Sequence, residues 1–194
     1  MRAFLLLYYL SYNKKKEGIN MIKIKKSEEV LLAKLSGQIV KKYTVVEFCK
    51  EAKIERSYFY TRYENICDLF ASVMTLQLRR ELRGEENEKL NSIFFRMLEK
   101  IKNDKYFFLN IILISKDSST YFEILQKEMA TAIENYMRPR GAFSVRQVNL
   151  VASGIYAIIY NWILHRCKYD IRDVYQCINL LLKNIDRTET DSKD

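Results

Sequence analysis

Proline and glycine are scarce in this chain, with one proline and five glycines among 194 residues. A protein built from sheets needs many turns, and turns draw heavily on these two residue types. Long helices tolerate this scarcity, and a hydrophobic content of 48% is enough for a sizeable core. The composition therefore predicts an all-α fold of one domain or two small ones.

The chain also has little from which an enzyme or a metal site is built. His165 is the single histidine, and the four cysteines (Cys49, Cys67, Cys167 and Cys177) show neither a CxxC pair nor zinc-type spacing. The sequence contains no glycine-rich phosphate loop, no HExxH and no nucleophile elbow. We therefore predict a cytoplasmic protein with reduced thiols, no catalytic residues, no metal and no cofactor.

Residues 43–70, reading YTVVEFCKEAKIERSYFYTRYENICDLF, are the most informative stretch. Their apolar positions follow helical spacing with breaks, which favours two short crossing helices and the start of a third. These positions are Val45, Phe48, Cys49, Ala52, Ile54, Phe59, Tyr63, Leu69 and Phe70. Residues 51–55 leave room only for a tight turn between the first two helices. The pattern predicts a helix-turn-helix, a common device for placing one helix in a DNA major groove.

These residues resemble the DNA-binding domain of tetracycline-repressor-type (TetR family) transcription regulators. The resemblance rests on Thr44 before the second helix, Ala52 before the turn and Ile54 closing it. It continues through Phe59-Tyr60-Thr61-Arg62-Tyr63 and Asp68-Leu69-Phe70. Three positions depart from the family pattern. Lys53 replaces the usual turn glycine, Glu55 replaces a small hydroxyl N-cap, and Ile66 replaces a lysine that often contacts phosphate.

The resemblance and the position of the second short helix together predict a set of DNA contacts. Thr44 offers a hydroxyl and a helix N-terminus to phosphate, and Tyr60 stands at the family's usual phosphate-contacting position. Arg56, Ser57 and Tyr58 are predicted to read base edges, because the N-terminal residues of a recognition helix go deepest. The full predicted set is Lys42, Thr44, Lys53, Arg56, Ser57, Tyr58, Tyr60 and Arg62. Phe59 and Tyr63 are predicted to be core residues.

The positive charge is concentrated towards the N-terminus. The net charge is +3 over residues 1–20, +5 over residues 21–80 and +1 over residues 81–194, which makes the total of +9. A basic face beside a groove-reading helix is the electrostatic footprint of phosphate binding, although a solvated lysine-rich surface has the same composition.

Residues 1–20 have a different interpretation. The apolar run at residues 3–10 is too short to span a bilayer and lacks the cleavage pattern of a signal peptide. The codons for Lys16-Glu17-Gly18 can spell a bacterial ribosome-binding sequence, with a suitable spacer before Met21. We interpret residues 1–20 as mis-assigned upstream sequence and expect the native chain to start at Met21, which an intact mass of the protein made from its own locus checks.

Helical periodicity predicts the remaining organisation. The expected helices span residues 27–40, 65–83, 90–101, 106–114, 118–137, 144–168 and 170–185, with Gly84 as a C-terminal cap of the second of these. We divide the chain into the extension 1–20, a DNA-binding domain at 21–70, a helical effector-binding and dimerisation domain at 71–186, and a polar tail at 187–194. Tyr160-Asn-Trp162 before the last helix resembles a Firmicutes-type C-terminal domain of the same family.

Two further sites are predicted in the C-terminal part. The two apolar terminal helices need more partner surface than one chain provides, and in TetR-type proteins this pair forms a four-helix bundle with its symmetry mate. The predicted dimer interface is Val148, Val151, Ile155, Ile158, Ile159, Val174, Ile178 and Leu181. Aromatic and methionine side chains suit a cavity for an apolar effector, although ordinary core packing uses the same residues. These are Phe107, Phe108, Tyr121, Phe122, Met129, Tyr156, Tyr160 and Trp162.

The function that these patterns favour is a homodimeric TetR-type regulator, a repressor that binds a palindromic operator and is released by a small apolar or aromatic effector. One alternative is a coregulator of the same fold that has lost strong DNA binding, which Lys53, Glu55 and Ile66 suggest. Another is a helical module that uses its basic N-terminus on anionic lipid.

Overall fold

A computed structural model describes residues 28–84, 88–115, 119–141 and 143–186. Its helices are α1 (residues 28–35), α2 (Val45–Ala52), α3 (Arg56–Tyr60), α4 (Ile66–Leu82), α5 (Leu90–Asn103), α6 (Lys105–Ile114), α7 (Ser119–Met137), α8 (Val145–Leu164) and α9 (Ile171–Asp186). A 3₁₀ turn at Arg138–Arg140 follows α7. None of the described residues forms a strand, which confirms the predicted all-α fold, including a helix for the dense apolar run at residues 106–114.

The first three helices form what we call the head (residues 28–65), which is held together by aromatic side chains. Phe59 is fully buried and meets Phe48 edge-on at 5.8 Å between ring centroids. It also contacts Tyr63 at 5.4 Å. Tyr43 stacks nearly parallel on Phe70 of α4, with centroids 6.4 Å apart. Aromatic rings bury large areas in defined geometries, so these contacts fix how α2 and α3 cross. The prediction that Phe59 and Tyr63 belong to the core is confirmed.

A polar contact ties α1 to α2 at the surface of the head. The Lys34 ammonium lies 2.8 Å from one Glu51 oxygen, and the Tyr43 hydroxyl donates to the other at 2.5 Å. Burial, and then the hydrogen bond to Glu51, raise the pKa of Tyr43. The phenol therefore remains a hydrogen-bond donor at neutral pH, and together with Lys34 it ties α1 and Tyr43 to the last turn of α2.

Helix α4 leads from the head into the remainder of the chain, which we call the body. It packs against α5 and α7, and its last turn ends at Leu82. Gly84 follows the C-cap residue Arg83, as predicted, but it does not form a left-handed glycine cap, because Arg83 is extended and Gly84 has no positive φ. A side chain at Gly84 would lie 2.7 Å from the Ile93 Cδ1 atom. The glycine therefore leaves room for the end of the Ile93 side chain of α5.

The body is layered around α8. This helix packs against α6, α7 and α9, and its fully buried residues include Val148, Ile155 and Trp162. Among the described residues α8 is also the one helix long and apolar enough to cross a membrane, a test that the core helix of a globular protein passes as well. A Cβ atom at Gly154 would lie 3.0 Å from Leu181, so the glycine lets α8 and α9 approach closely.

The head meets the body at Asn110, a side chain of α6 with no exposed surface. Its amide donates to the carbonyl oxygens of Leu35 at 2.8 Å and Gln38 at 2.7 Å. Its oxygen accepts from the Val40 backbone amide at 2.8 Å. Helix α1 was expected to reach residue 40 but ends at residue 35. Asn110 supplies hydrogen-bond partners to the Leu35 and Gln38 carbonyl oxygens and to the Val40 amide. Without Asn110, further helical turns would have to satisfy these backbone groups.

Several predictions fall outside the described residues. They are the upstream interpretation of residues 1–20, the start of the first predicted helix at residue 27, the polar tail at 187–194, and the side chains of Tyr121 and Phe122. The division of the chain at residue 70 stays a prediction.

Candidate nucleic-acid interface

The N-terminus of α2 is closed by a capping box. The Thr44 hydroxyl oxygen accepts from the Glu47 amide at 3.3 Å, and the Glu47 carboxylate accepts from the Thr44 amide at 2.8 Å. The Thr44 hydroxyl also donates to this carboxylate at 2.7 Å. These bonds from the Thr44 side chain and backbone hold the pKa of Glu47 below its usual value. The Glu47 carboxylate thus occupies the position at the α2 N-terminus where the sequence predicts a DNA phosphate. To contact DNA, the Thr44 hydroxyl must exchange its hydrogen bond to Glu47 for one to the phosphate.

The turn between α2 and α3 is built without glycine. Lys53 takes the left-handed conformation, with φ 54° and ψ 49°. Its amide bonds the Lys50 carbonyl oxygen at 3.3 Å, and the Ile54 amide bonds the Cys49 carbonyl oxygen at 3.0 Å. This pair of bonds is the Schellman arrangement that ends many helices. The turn therefore has the geometry that glycine normally provides, and the lysine strains its backbone to adopt it.

Helix α3 presents its N-terminal side chains to solvent. Arg56 and Ser57 are exposed, and Tyr60 is 57% exposed, while Phe59 points into the head. Glu55 precedes the helix without capping it, and its carboxylate accepts from the Ser57 hydroxyl at 3.3 Å. The structure therefore places Arg56, Ser57 and Tyr60 on one short accessible element. Glu55, considered in the sequence only as a weak cap, belongs to the same accessible surface.

Tyr58 and Arg62 are placed as a pair. The Arg62 guanidinium carbon lies 5.4 Å from the centroid of the Tyr58 ring, within the range of a cation–π contact. Tyr58 is half-buried, so less of its ring is available to a base edge than of Tyr60. The remaining predicted cations, Lys42 and Lys53, are exposed on either side of α2.

The start of α4 explains one departure from the family pattern. Asn65 caps the helix by accepting from the amides of Cys67 at 2.8 Å and Asp68 at 3.0 Å. Ile66 is half-buried against the core and presents no charge. The head therefore has no cation at this position to contact a phosphate.

Most of the predicted effector residues that the structure describes are buried in the body. Phe107, Met129 and Trp162 are at most 1% exposed. The Trp162 ring nitrogen donates to the Tyr169 carbonyl oxygen at 3.1 Å, which closes the turn between α8 and α9. Tyr156 stacks on Tyr160, and burial raises the pKa of Tyr156 to about 12. Phe108 is likewise buried. The described side chains of this set pack in the core, and the effector pocket stays a prediction.

An open cavity of about 630 Å³ lies elsewhere, between the C-terminal ends of α4 and α7 and the start of α5. Its lining includes Leu82, Arg83, Ile93, Asn135 and Arg140. Nothing in the local sequence pattern marks it, because its walls join the α4–α5 region to the end of α7 and the 3₁₀ turn, which lie far from that region in the chain.

The predicted dimer residues divide into two groups. Val148, Ile155, Ile159 and Ile178 are fully buried and Val174 is 7% exposed, so they pack α8 and α9 inside one chain, and the prediction for them is corrected. Val151, Ile158 and Leu181 are half-buried and stay candidates.

The outward face of α8 and α9 has exposed apolar residues that the sequence prediction missed. Leu150 on α8 and Leu180 on α9 are both 65% exposed, and Leu164 is 40% exposed. Periodicity alone did not separate these positions from the buried ones, because α8 is apolar over most of its circumference.

Two solved structures resemble the fold. The dihydroxyacetone kinase operon activator DhaS matches with a TM-score of 0.63 and 16% sequence identity, over 86% of this chain and 97% of that one. The fatty acid degradation regulator FadR from Bacillus halodurans matches with a TM-score of 0.54 and 16% identity, over 82% of this chain and 94% of that one. The chain has the fold of helical transcription regulators. No known protein family and no curated protein matches its sequence.

The likeness concerns the fold, since 16% identity carries no residue-level correspondence. Both neighbours are named as regulators and neither as an enzyme, which agrees with the missing enzyme motifs. Among the residues that the structure describes, no group of histidine, cysteine or acidic side chains is arranged to hold a metal ion. At α2 and α3 the described residues present charged side chains, hydroxyl groups and the exposed ring of Tyr60 to solvent.

Proposed function

We propose that this chain is a cytoplasmic, homodimeric transcription regulator of the TetR type that reads double-stranded DNA with α3. The observation that carries the proposal is the accessible N-terminal edge of α3. Arg56 and Ser57 are exposed immediately after a tight left-handed turn, while Phe59 anchors the opposite side in the head. A short helix held this way can enter a major groove with its first residues foremost.

The proposed contacts divide into base reading and phosphate positioning. Arg56 offers two parallel donors to a guanine edge, a contact worth about 1–3 kcal/mol of discrimination. Ser57, coupled to Glu55, is proposed beside it. Lys42, Lys53, Tyr60 and Arg62 are proposed to contact phosphates, and Thr44 joins them once its hydroxyl leaves Glu47. Tyr58 is proposed to position Arg62 as much as to read a base.

A dimer is proposed because one α3 reads only a few base pairs. Paired half-sites are read about 34–36 Å apart by two copies related by two-fold symmetry, which is why a palindromic operator is expected. The outward face of α8 and α9 supports this proposal with exposed Leu150, Leu164 and Leu180, flanked by half-buried Ile158 and Leu181. Exposed apolar side chains grouped on one face are typical of an interaction surface.

Binding to DNA that flanks its own gene tests the first part. Fluorescence anisotropy at several salt concentrations should show saturable binding with a steep salt dependence. Arg56→Ala should relax the preference at one base position. Tyr60→Phe should weaken all sequences about equally, and Arg172→Ala on α9 serves as the control that removes a distant cation. An unchanged sequence profile for Arg56→Ala would mean that the assignment of base reading to α3 is wrong.

Sedimentation equilibrium tests the dimer. Leu150→Glu and Leu180→Glu place a charge on the proposed interface and should shift the protein towards monomer. Leu113→Glu is the matched control, because Leu113 is a similarly exposed leucine, 52% accessible, on α6. A dimer that tolerates both interface variants as well as it tolerates the control would show that the chains meet elsewhere.

A second candidate is a coregulator that keeps the fold and acts through protein contacts. The observation that favours it is the acidic surface around the DNA-reading elements, where Glu47 occupies the N-terminus of α2 and Glu55 precedes α3. Both carboxylates would repel phosphate. A stable dimer without saturable binding to any flanking DNA would support this candidate over the first.

Repression is the proposed direction of regulation, with release by an effector that changes how α4 holds the two heads. DhaS is named as an activator, so the direction needs its own experiment. Transcript levels of neighbouring genes in a deletion strain decide it: a rise on deletion supports repression, and a fall supports activation.

A further inference from the structure

The cavity of about 630 Å³ at the C-terminal end of α4 combines a charged rim with an apolar floor. Arg83 and Arg140 stand at the rim, and both are exposed. Leu82, Ile93 and Ala132 form the floor and are at most 8% exposed. A volume of this size lies within the usual range for small-molecule sites, about 300–1,000 Å³.

The rim is held in place by neighbouring contacts. The Arg140 guanidinium lies 3.7 Å from the centroid of the Tyr136 ring and donates to the Tyr136 carbonyl oxygen at 2.5 Å. Arg96 donates to the carbonyl oxygens of Glu81 at 2.7 Å and Arg83 at 3.2 Å, which braces the end of α4. A positioned guanidinium such as that of Arg140 loses less freedom when it binds an anion.

The charge of the described lining favours an anion. Glu88 is the acidic residue of this described lining, and its carboxylate forms an ion pair with Arg96, which does not belong to the lining. Among the described residues Arg83 and Arg140 form no ion pair. Arginine presents paired donors that match the oxygens of a carboxylate or a phosphate.

The cavity also lies on a route to the head. Its walls include α4 and α7, which are joined about one turn away by two hydrogen bonds of 2.8 Å from Arg79 to Glu128. The next residue of α4, Arg80, donates to Glu28 of α1 at 2.9 Å. An occupant that moves the ends of α4 and α7 relative to each other therefore acts on a helix that directly holds the head.

We propose that this cavity binds a small amphipathic organic anion. The carboxylate or phosphate of the ligand pairs with Arg83 and Arg140, and a short apolar body covers Leu82, Ile93 and Ala132. The proposal that the cavity binds an anion rests only on the geometry of the cavity. Its regulatory consequence, a change in DNA affinity, rests on the proposed function.

Isothermal titration calorimetry on the full chain tests the site with hexanoate, hexyl phosphate and uncharged hexanamide as probes. Hexanoate or hexyl phosphate should bind saturably, and hexanamide should bind at least about tenfold more weakly, since it lacks the charge that a guanidinium pairs with. Equal binding of the charged and uncharged probes, or no binding of any of them, would overturn the proposal.

Variants locate the binding. Arg140→Gln and Arg83→Gln should each weaken hexanoate binding about tenfold, corresponding to the loss of one charge-assisted contact. Arg138→Gln is the matched control, because Arg138 belongs to the same 3₁₀ turn but does not line the cavity. Asn135→Trp should block the cavity from its exposed edge without changing any charge. A loss in Arg138→Gln equal to that in Arg140→Gln, or unimpaired binding in Asn135→Trp, would place the anion elsewhere.

The two proposals fail separately. Anion binding that follows these variants, in a protein that binds no DNA, would leave the cavity assignment standing and remove the proposed function. DNA binding with no anion binding would do the reverse.

Discussion

Replacing Asn110 by leucine should destabilise the protein by breaking the contact between head and body. Leucine has the same number and branching of side-chain heavy atoms as asparagine, so the change removes three hydrogen bonds without opening a cavity. The bonds join the side chain to Leu35, Gln38 and Val40 at 2.7–2.8 Å. Each intramolecular hydrogen bond contributes a net of about 1 kcal/mol, and a buried polar group left without a partner costs about 1–3 kcal/mol.

The burial of each bond sets the size of the effect. The bond to Leu35 is buried, so its carbonyl oxygen would lose its partner in a dry environment. The bonds to Gln38 and Val40 are partly exposed, and water can replace them at lower cost. We therefore expect a loss of about 2–4 kcal/mol in the free energy of unfolding. For a chain of this length that corresponds to a decrease in Tm of roughly 4–16 °C.

Urea unfolding followed by circular dichroism measures this loss. Asn103→Leu, an exposed asparagine at the end of α5, is the control for an asparagine-to-leucine change in a helix. Asn110→Asp is informative as well. It keeps an acceptor for the Val40 amide but places a carboxylate oxygen against the Leu35 and Gln38 carbonyl oxygens. It should therefore lower the free energy of unfolding at least as much as Asn110→Leu. A stability for Asn110→Leu within about 0.5 kcal/mol of the control would refute the role assigned to these bonds.

Three further predictions concern the head and the end of α4. Lys53→Gly should raise the free energy of unfolding by about 0.5–1 kcal/mol, because glycine adopts φ 54° without strain, and thermal melting should show a higher Tm; Lys50→Gly, inside α2, should lower it. For Glu47 the lowered pKa means that its stabilising contribution is complete above the ordinary value of 4.5 and is lost as the pH falls through the lowered value. Acid titrations of Glu47→Gln should therefore lack this part of the pH dependence, while its DNA binding becomes tighter at neutral pH because an anion leaves the α2 N-terminus; weaker binding would count against the proposed orientation. Gly84→Ala should cost less than about 1 kcal/mol, because the new Cβ would lie 2.7 Å from Ile93 Cδ1, the end of a side chain that can turn towards the cavity, and a larger loss measured by urea unfolding would contradict this reading of the contact.

Much of the local structure was predictable because it depends on nearby residues. The capping residues Thr44 and Asn65 mark helix starts, and Phe59 is placed in the core by its helical spacing. The strain at Lys53 was also predictable, since the turn geometry requires a positive φ whichever residue occupies it. The sequence did not show which faces of α8 and α9 pack inside the chain and which are exposed. Val148 and Ile155 belong to the core, while Leu150 is exposed. The sequence of a helix that is apolar on most sides does not indicate which face packs against its own chain.

The sequence by itself determined the helical class, the positions of most helices and the short element that presents Arg56 and Ser57. These features follow from composition, periodicity and caps, all of which act within a few residues. The tertiary structure alone decided three features. They are the Asn110 contact, the arginines of α4 that pair with Glu28 and Glu128, and the cavity beside Arg83 and Arg140. Each joins residues far apart in the chain, and the energy of such contacts depends on distance and burial in space, which no local pattern records.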